Sequence, residues 1–136
     1  PQAQLRGAIR DLQVSSADTT IAAGLNAYNR SDYATARRFL ETAKVGGRLE
    51  IVRKIYLGST LLELGEAAVA VLLLRDLDAK LVPEPWKSET QWTLALALER
   101  SGHAATADSI LDVLSHESNP AGERARTHRG STSRSK

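Results

Sequence analysis

Three histidines and a group of glutamates are the side chains of this chain that could bind a metal ion or move a proton. The histidines are His103, His116 and His128. No two of them stand four residues apart, the spacing that would place two metal ligands on one helix face. The glutamates that could meet near one helix hairpin are Glu84, Glu89 and Glu99. Neither group includes a nucleophile with a base beside it, so hydrolysis and group transfer are not indicated.

The rest of the composition excludes further kinds of functional site. The chain has no Cys, which excludes disulfides and thiolate metal sites, and its glycines do not form a phosphate-binding loop. We therefore expect no catalytic residue, no cofactor and no metal. One alternative is an enzyme accessory domain in which His103 or the glutamates bind substrate or metal. Against it, His103 occupies a position at which two equivalent segments have Asp32 and Glu66, which favours a role in a turn.

One pattern of small and large residues occurs three times along the chain. It begins at Gly24, Gly58 and Ala95, and the step from Gly24 to Gly58 is 34 residues. A second small residue follows each of them at the same offset, at Ala36, Ala70 and Ala107. A period of this length is typical of helix-turn-helix repeats, in which small residues let two helices approach closely. The pattern predicts an all-α fold of tandem antiparallel helix hairpins.

This pattern resembles the tetratricopeptide repeat (TPR), which has a small residue on its first helix, a turn with Gly and Asp, and small and large apolar residues on its second helix. The resemblance covers residues 17–115, which is most of the chain. It implies a right-handed α-solenoid of about three repeats. In that family the first helix of each hairpin lines a concave groove.

Hydrophobic spacing and capping residues predict the limits of the helices. We expect hairpins at 19–29 with 33–44, 49–64 with 67–81, and 86–101 with 104–117. An extra helix is expected at 3–13, and a short capping segment at 120–126 precedes a polar tail that should be flexible. The chain then divides into an N-terminal extra helix and linker (1–16), a repeat domain (17–118, with units 17–47, 48–82 and 83–118) and a cap with a basic tail (119–136).

The resemblance also implies a partner-binding groove along the first helices. The matching positions are Tyr28, Asn29, Ile55, Ser59, Leu62, Glu63, Glu89, Trp92, Leu96 and Glu99. Apolar and aromatic residues outnumber charged ones among them. We expect such a groove to hold an amphipathic helix or an extended apolar segment of a protein, with Trp92 and Tyr28 as anchors. The basic residues with which some family members clamp a terminal carboxylate are missing at these positions.

Positive charge is concentrated at the C-terminal end. Residues 120–136 contain five Arg and Lys against one Glu, whereas the whole chain has a net charge of +2. The five that could contact a partner are Arg124, Arg126, Arg129, Arg134 and Lys136. They have no aromatic neighbours to form a stacking platform, so nucleic acid is not favoured as the partner. The composition favours a solvated terminus, with contact to an anionic lipid or an acidic protein as the other interpretation.

Three features of the sequence bear on the cellular setting. The longest apolar run, at 67–74, is eight residues, far short of the roughly 20 that a membrane helix needs. The chain begins at Pro1 without Met, which is compatible with processing, with cleavage from a longer precursor or with a lost anchor, so a preceding signal, anchor or domain would not be visible in this sequence. Segments 56–67 and 91–102 resemble repeats of bacterial envelope proteins, including domains that follow a transmembrane helix in zinc-finger anti-sigma-like proteins. That resemblance implies the envelope or periplasm, with the cytoplasm as the alternative.

These observations predict a non-catalytic protein-protein interaction module. Its first form is a scaffold or accessory subunit within a larger, membrane-associated assembly. Its second is an extracytoplasmic sensor or recruitment domain of a membrane-anchored bacterial regulator.

Overall fold

Seven helices account for most of the part of the chain that the structure, a computed structural model, describes, residues 16–80 and 82–134. The helices are α1 (Ser16–Asn29), α2 (Tyr33–Thr42), α3 (Arg48–Glu63), α4 (Ala67–Asp78), α5 (Trp86–Arg100), α6 (Ala104–Leu114) and α7 (Pro120–Arg134). No strand occurs in these residues, so the all-α prediction is confirmed. The extra helix expected at 3–13 lies outside the described residues.

The turns that follow α1, α3 and α5 share one backbone geometry. Each contains a residue with positive φ, at 62° for Ser31, 81° for Gly65 and 89° for Gly102. In each turn the next residue donates its N–H to a carbonyl five residues back, over 2.8 or 2.9 Å. These donors are Asp32, Glu66 and His103, with Ala27, Leu61 and Leu98 as the acceptors. This is the Schellman closure of a helix end, and it repeats at the offsets that the sequence pattern predicted.

Close helix contacts explain the small residues of the pattern. A Cβ added to Gly24 would lie 2.9 Å from Leu40 Cγ, and one added to Gly58 would lie 2.8 Å from Leu74 Cδ1. Ala95 is fully buried at the equivalent place in α5. A larger side chain at any of these three positions would push the two helices of a pair apart.

The helices pack in chain order. Each helix contacts the next one, and contacts also join α1 with α3, α3 with α5, and α5 with α7. One hydrophobic core therefore continues from Ile21 in α1 to Ala125 in α7. The last helix, α7, lies against both α5 and α6.

Helix ends differ from the prediction, most of all at the C-terminal end. The sequence predicted a flexible tail from His128 onward, but α7 continues to Arg134, so that prediction is wrong for residues 128–134. Asn119 Oδ1 caps the helix by accepting the N–H of Gly122 at 2.8 Å, and Arg129 binds Asp112 of α6 at 2.7 Å. Helices α2, α4 and α6 end two or three residues earlier than expected.

Candidate functional site

The predicted groove positions divide into exposed and buried ones. Tyr28 and Ser59 are half-buried, and Asn29 and Glu63 are exposed. Ile55 and Leu62 are only 4% and 6% exposed, because α3 packs on its neighbours with a wide apolar face. These two residues belong to the core and offer little surface to a partner, so their place in a groove stays a prediction.

Tyrosines join the first three helices near the end of α1. The Tyr28 ring lies edge-on to Tyr56 at 5.2 Å between centroids and to Tyr33 at 5.6 Å. Burial raises the pKa of Tyr28, a hydrogen bond with Ser59 opposes that rise, and the nearby charge of Glu63 adds to it. Tyr28 therefore stays protonated at neutral pH and acts as a packing residue with one polar contact.

An ion pair and a stacked guanidinium join α5 to α7. Arg124 Nη2 forms an ion pair with Glu89, whose side chain is buried. The guanidinium of Arg124 also lies 5.4 Å from the centre of the Trp92 ring, a cation-π distance. The charge of the Glu89 carboxylate is therefore paired within this chain.

A second link between the same helices lies one turn further along α7. His128 Nε2 lies 2.8 Å from Glu99 Oε1 and 3.1 Å from its Oε2. The imidazole also contacts Trp92 edge-on, with 5.7 Å between ring centroids. Trp92 is therefore fixed between the two side chains of α7 that bind α5, while Leu96 stays half-buried beside the core.

Two further arginines of α7 bind α6 and the turn that follows it. Arg126 Nη1 donates to the carbonyls of Ser115 and Glu117, at 2.7 and 3.0 Å. Arg129 Nη1 donates to Asp112 Oδ1, and its Nε lies 3.4 Å from Asp108 Oδ1. Three of the five basic residues expected to contact a partner thus contact this chain itself. The side chain of Arg134 and all of Lys136 lie outside the described residues.

An open cleft of about 530 Å³ runs along one face of α7 beside Trp92. Its lining residues are Trp92, Pro120, Glu123, Arg124, Thr127, His128 and Ser131. The α7 members recur every three or four residues, so the cleft follows about three turns of that helix. Trp92 was expected in a binding site from the sequence, whereas His128 was not. No local signal marks His128, because its partner Glu99 lies 29 residues away along the chain.

The groups that could do chemistry are separated in the structure. Glu84 accepts hydrogen bonds from Ser88, whereas Glu89 and Glu99 bind α7 side chains. His103 lies in its turn with its ring exposed, 3.2 Å from Ser101 Oγ. Within the described residues no three His, Asp or Glu side chains form a group that could hold a metal ion.

No helix in residues 16–80 and 82–134 has the length and apolar content to cross a membrane. Comparison with protein-family models, with curated proteins and with solved structures found no match to this chain, so the proposal for its function depends on the geometry given above.

Proposed function

We propose that this chain is a non-catalytic protein-protein interaction module, a TPR-like stack of about three helix hairpins that acts as a scaffold or accessory subunit in a larger assembly. Two observations support the repeat arrangement. The turns after α1, α3 and α5 have the same hydrogen bonds, and a small residue lies at the same contact in each of these helices.

The observation that carries the binding function is the cleft beside Trp92. It is open to solvent, it extends along about three turns of α7, and an indole forms one wall. Arg124 and His128 hold that indole in place, so little side-chain freedom is lost when a partner contacts it. Half-buried aromatic side chains fixed in this way are frequent anchors of protein interfaces.

The chemistry of the lining favours a peptide segment over a small metabolite. One helix face supplies six of the seven lining residues, which gives an elongated site. Such a site matches an amphipathic helix or an extended segment of a partner protein.

Affinity capture from native extract tests this function. The bait is the full chain, and the comparison is Trp92→Ala. The matched control is Leu72→Ala, because Leu72 is 68% exposed on α4 and lies outside the cleft. We expect one stoichiometric protein that is lost with Trp92→Ala and kept with Leu72→Ala. Equal recovery with all three baits would reject the cleft as the binding site.

A further inference from the structure

The residues of α7 that line the cleft beside Trp92 form two rows along the helix. The inner row, two members of which contact the indole, is Pro120, Arg124 and His128, and the outer row is Glu123, Thr127 and Ser131. Members of each row are four residues apart, so they are neighbours on one side of the helix. All three residues of the outer row are exposed. A segment bound in the cleft would therefore meet both rows.

The basic side chains of the inner row are already paired within the chain. Arg124 forms an ion pair with Glu89, whose side chain is 9% exposed. Taking Arg124 from this pair would leave a buried carboxylate uncompensated, which is strongly destabilising. His128 Nε2 lies within 3.1 Å of both carboxylate oxygens of Glu99. Because each basic side chain has a carboxylate of its own, the inner row does not attract an acidic segment.

Glu123 is the charged residue of the outer row. Its side chain is exposed and forms no ion pair or hydrogen bond within residues 19–80 and 82–131, whose side chains the structure describes. The cleft and the partners of its inner row together contribute three carboxylates against Arg124 and His128. The net charge of this group is therefore negative whether His128 is neutral or protonated. The uncompensated charge that a bound segment meets is the Glu123 carboxylate.

We propose that the cleft selects a segment of a partner protein in which a basic side chain pairs with Glu123 and a large apolar side chain packs on Trp92. This selectivity rests on the protein-binding function proposed above. Contact with the indole would supply most of the affinity, because an exposed ion pair contributes little net stability. The carboxylate would decide between segments of opposite charge.

Glu123 also has a structural role that is independent of any ligand. It lies in the first turn of α7, where a carboxylate interacts favourably with the helix dipole. This role contributes to the stability of α7 but does not distinguish a basic ligand from an acidic one. Ligand preference and helix content, measured on the same variants, therefore separate the two roles.

A random peptide library displayed on phage and selected on the full chain tests the preference without assuming a sequence. We expect the selected peptides to be enriched in Lys and Arg, together with large apolar residues. On Glu123→Gln the enrichment of Lys and Arg should disappear, and on Glu123→Lys acidic residues should be enriched instead. The matched control is Glu117→Gln, because Glu117 is an exposed carboxylate outside the cleft, and it should select the same basic peptides as the original chain.

Fluorescence anisotropy at low salt gives the size of the effect. We expect the tightest selected peptide to bind Glu123→Gln about threefold more weakly than the original chain, and Glu117→Gln equally well. Circular dichroism should show equal helix content in these chains. Glu123→Gln keeps the shape of the side chain, so it decides the question even if Glu123→Lys loses helix content. A basic preference that survives in Glu123→Gln, or acidic peptides selected by the original chain, would overturn the proposal.

Two outcomes separate this selectivity from the binding function itself. Selected peptides that need Trp92 but show no basic preference would reject the selectivity and leave the binding function standing. If Trp92→Ala retains every selected peptide, the cleft is not the binding site, and both proposals are rejected.

Discussion

At the residue scale, Ser31 is the most informative side chain of the three turns. Its φ of 62° lies in the left-handed region, which the equivalent turns fill with Gly65 and Gly102. A residue with a Cβ costs about 1–2 kcal/mol there. The turn after α1 therefore holds strain that the other two turns avoid.

Replacing Ser31 with Gly should relieve that strain. We expect the free energy of unfolding to rise by about 0.5–1 kcal/mol, since the loss of backbone restriction in the unfolded chain offsets part of the gain. Urea denaturation measures the change. The converse variant Gly65→Ser should destabilise, and a Ser31→Gly chain less stable than the original would show that the serine hydroxyl matters more than the backbone.

Tyr28 gives a pH prediction at the same scale. Burial raises its pKa in the folded state above the ordinary value of 10.0. The stability linked to this raised pKa is fully present below pH 10 and is lost as the pH rises through the folded-state value. The free energy of unfolding should therefore fall above about pH 10, and less so in Tyr28→Phe. Denaturant titrations at neutral and alkaline pH measure the free energy of unfolding of the two chains. If it falls equally in both at alkaline pH, groups other than Tyr28 cause the fall.

At the element scale, the contact between α3 and α4 is limited by Gly58. A methyl group there would meet three carbons of Leu74 at 2.8 or 2.9 Å, so the helices would have to separate. We expect Gly58→Ala to lower the free energy of unfolding by about 1–3 kcal/mol, despite the better helix propensity of Ala.

Two variants make this prediction specific. Gly58→Ala with Leu74→Val should recover part of the loss, because the shorter side chain makes room. Gly46→Ala should be nearly neutral, because nothing lies within 4 Å of the added Cβ. Thermal melting of the original chain and the three variants tests this. An unchanged melting temperature in Gly58→Ala would mean that the helix pair tolerates a wider spacing.

At the scale of the whole molecule, the positions of α1 to α6 could be predicted from the sequence, whereas the full length of the last helix could not. Gly24 and Gly58 each lie at a close helix contact, and Ala95 is fully buried at the equivalent position of α5, so their spacing along the chain gave a usable signal. Helix α7 has no such period. Its position depends on Arg124, His128 and Arg129 meeting carboxylates some 17 to 35 residues away, which no local pattern reveals.

The candidate site could likewise be predicted only in part from the sequence. Trp92 could be found from its place on a first helix, whereas Ile55 and Leu62 could not be assigned to core or groove without the packing of α3. The cleft itself required α7, since that helix provides most of its lining.

The order of the aromatic residues along the stack has a spectroscopic consequence. All three tyrosines lie on α1, α2 and α3, whereas both tryptophans lie on α5. Near-ultraviolet absorption and fluorescence from tyrosine therefore report on one end of the molecule, and tryptophan emission reports on the other. If unfolding starts at one end, the tyrosine and tryptophan signals will change at different denaturant concentrations or temperatures. The direction of unfolding can therefore be measured without any attached label.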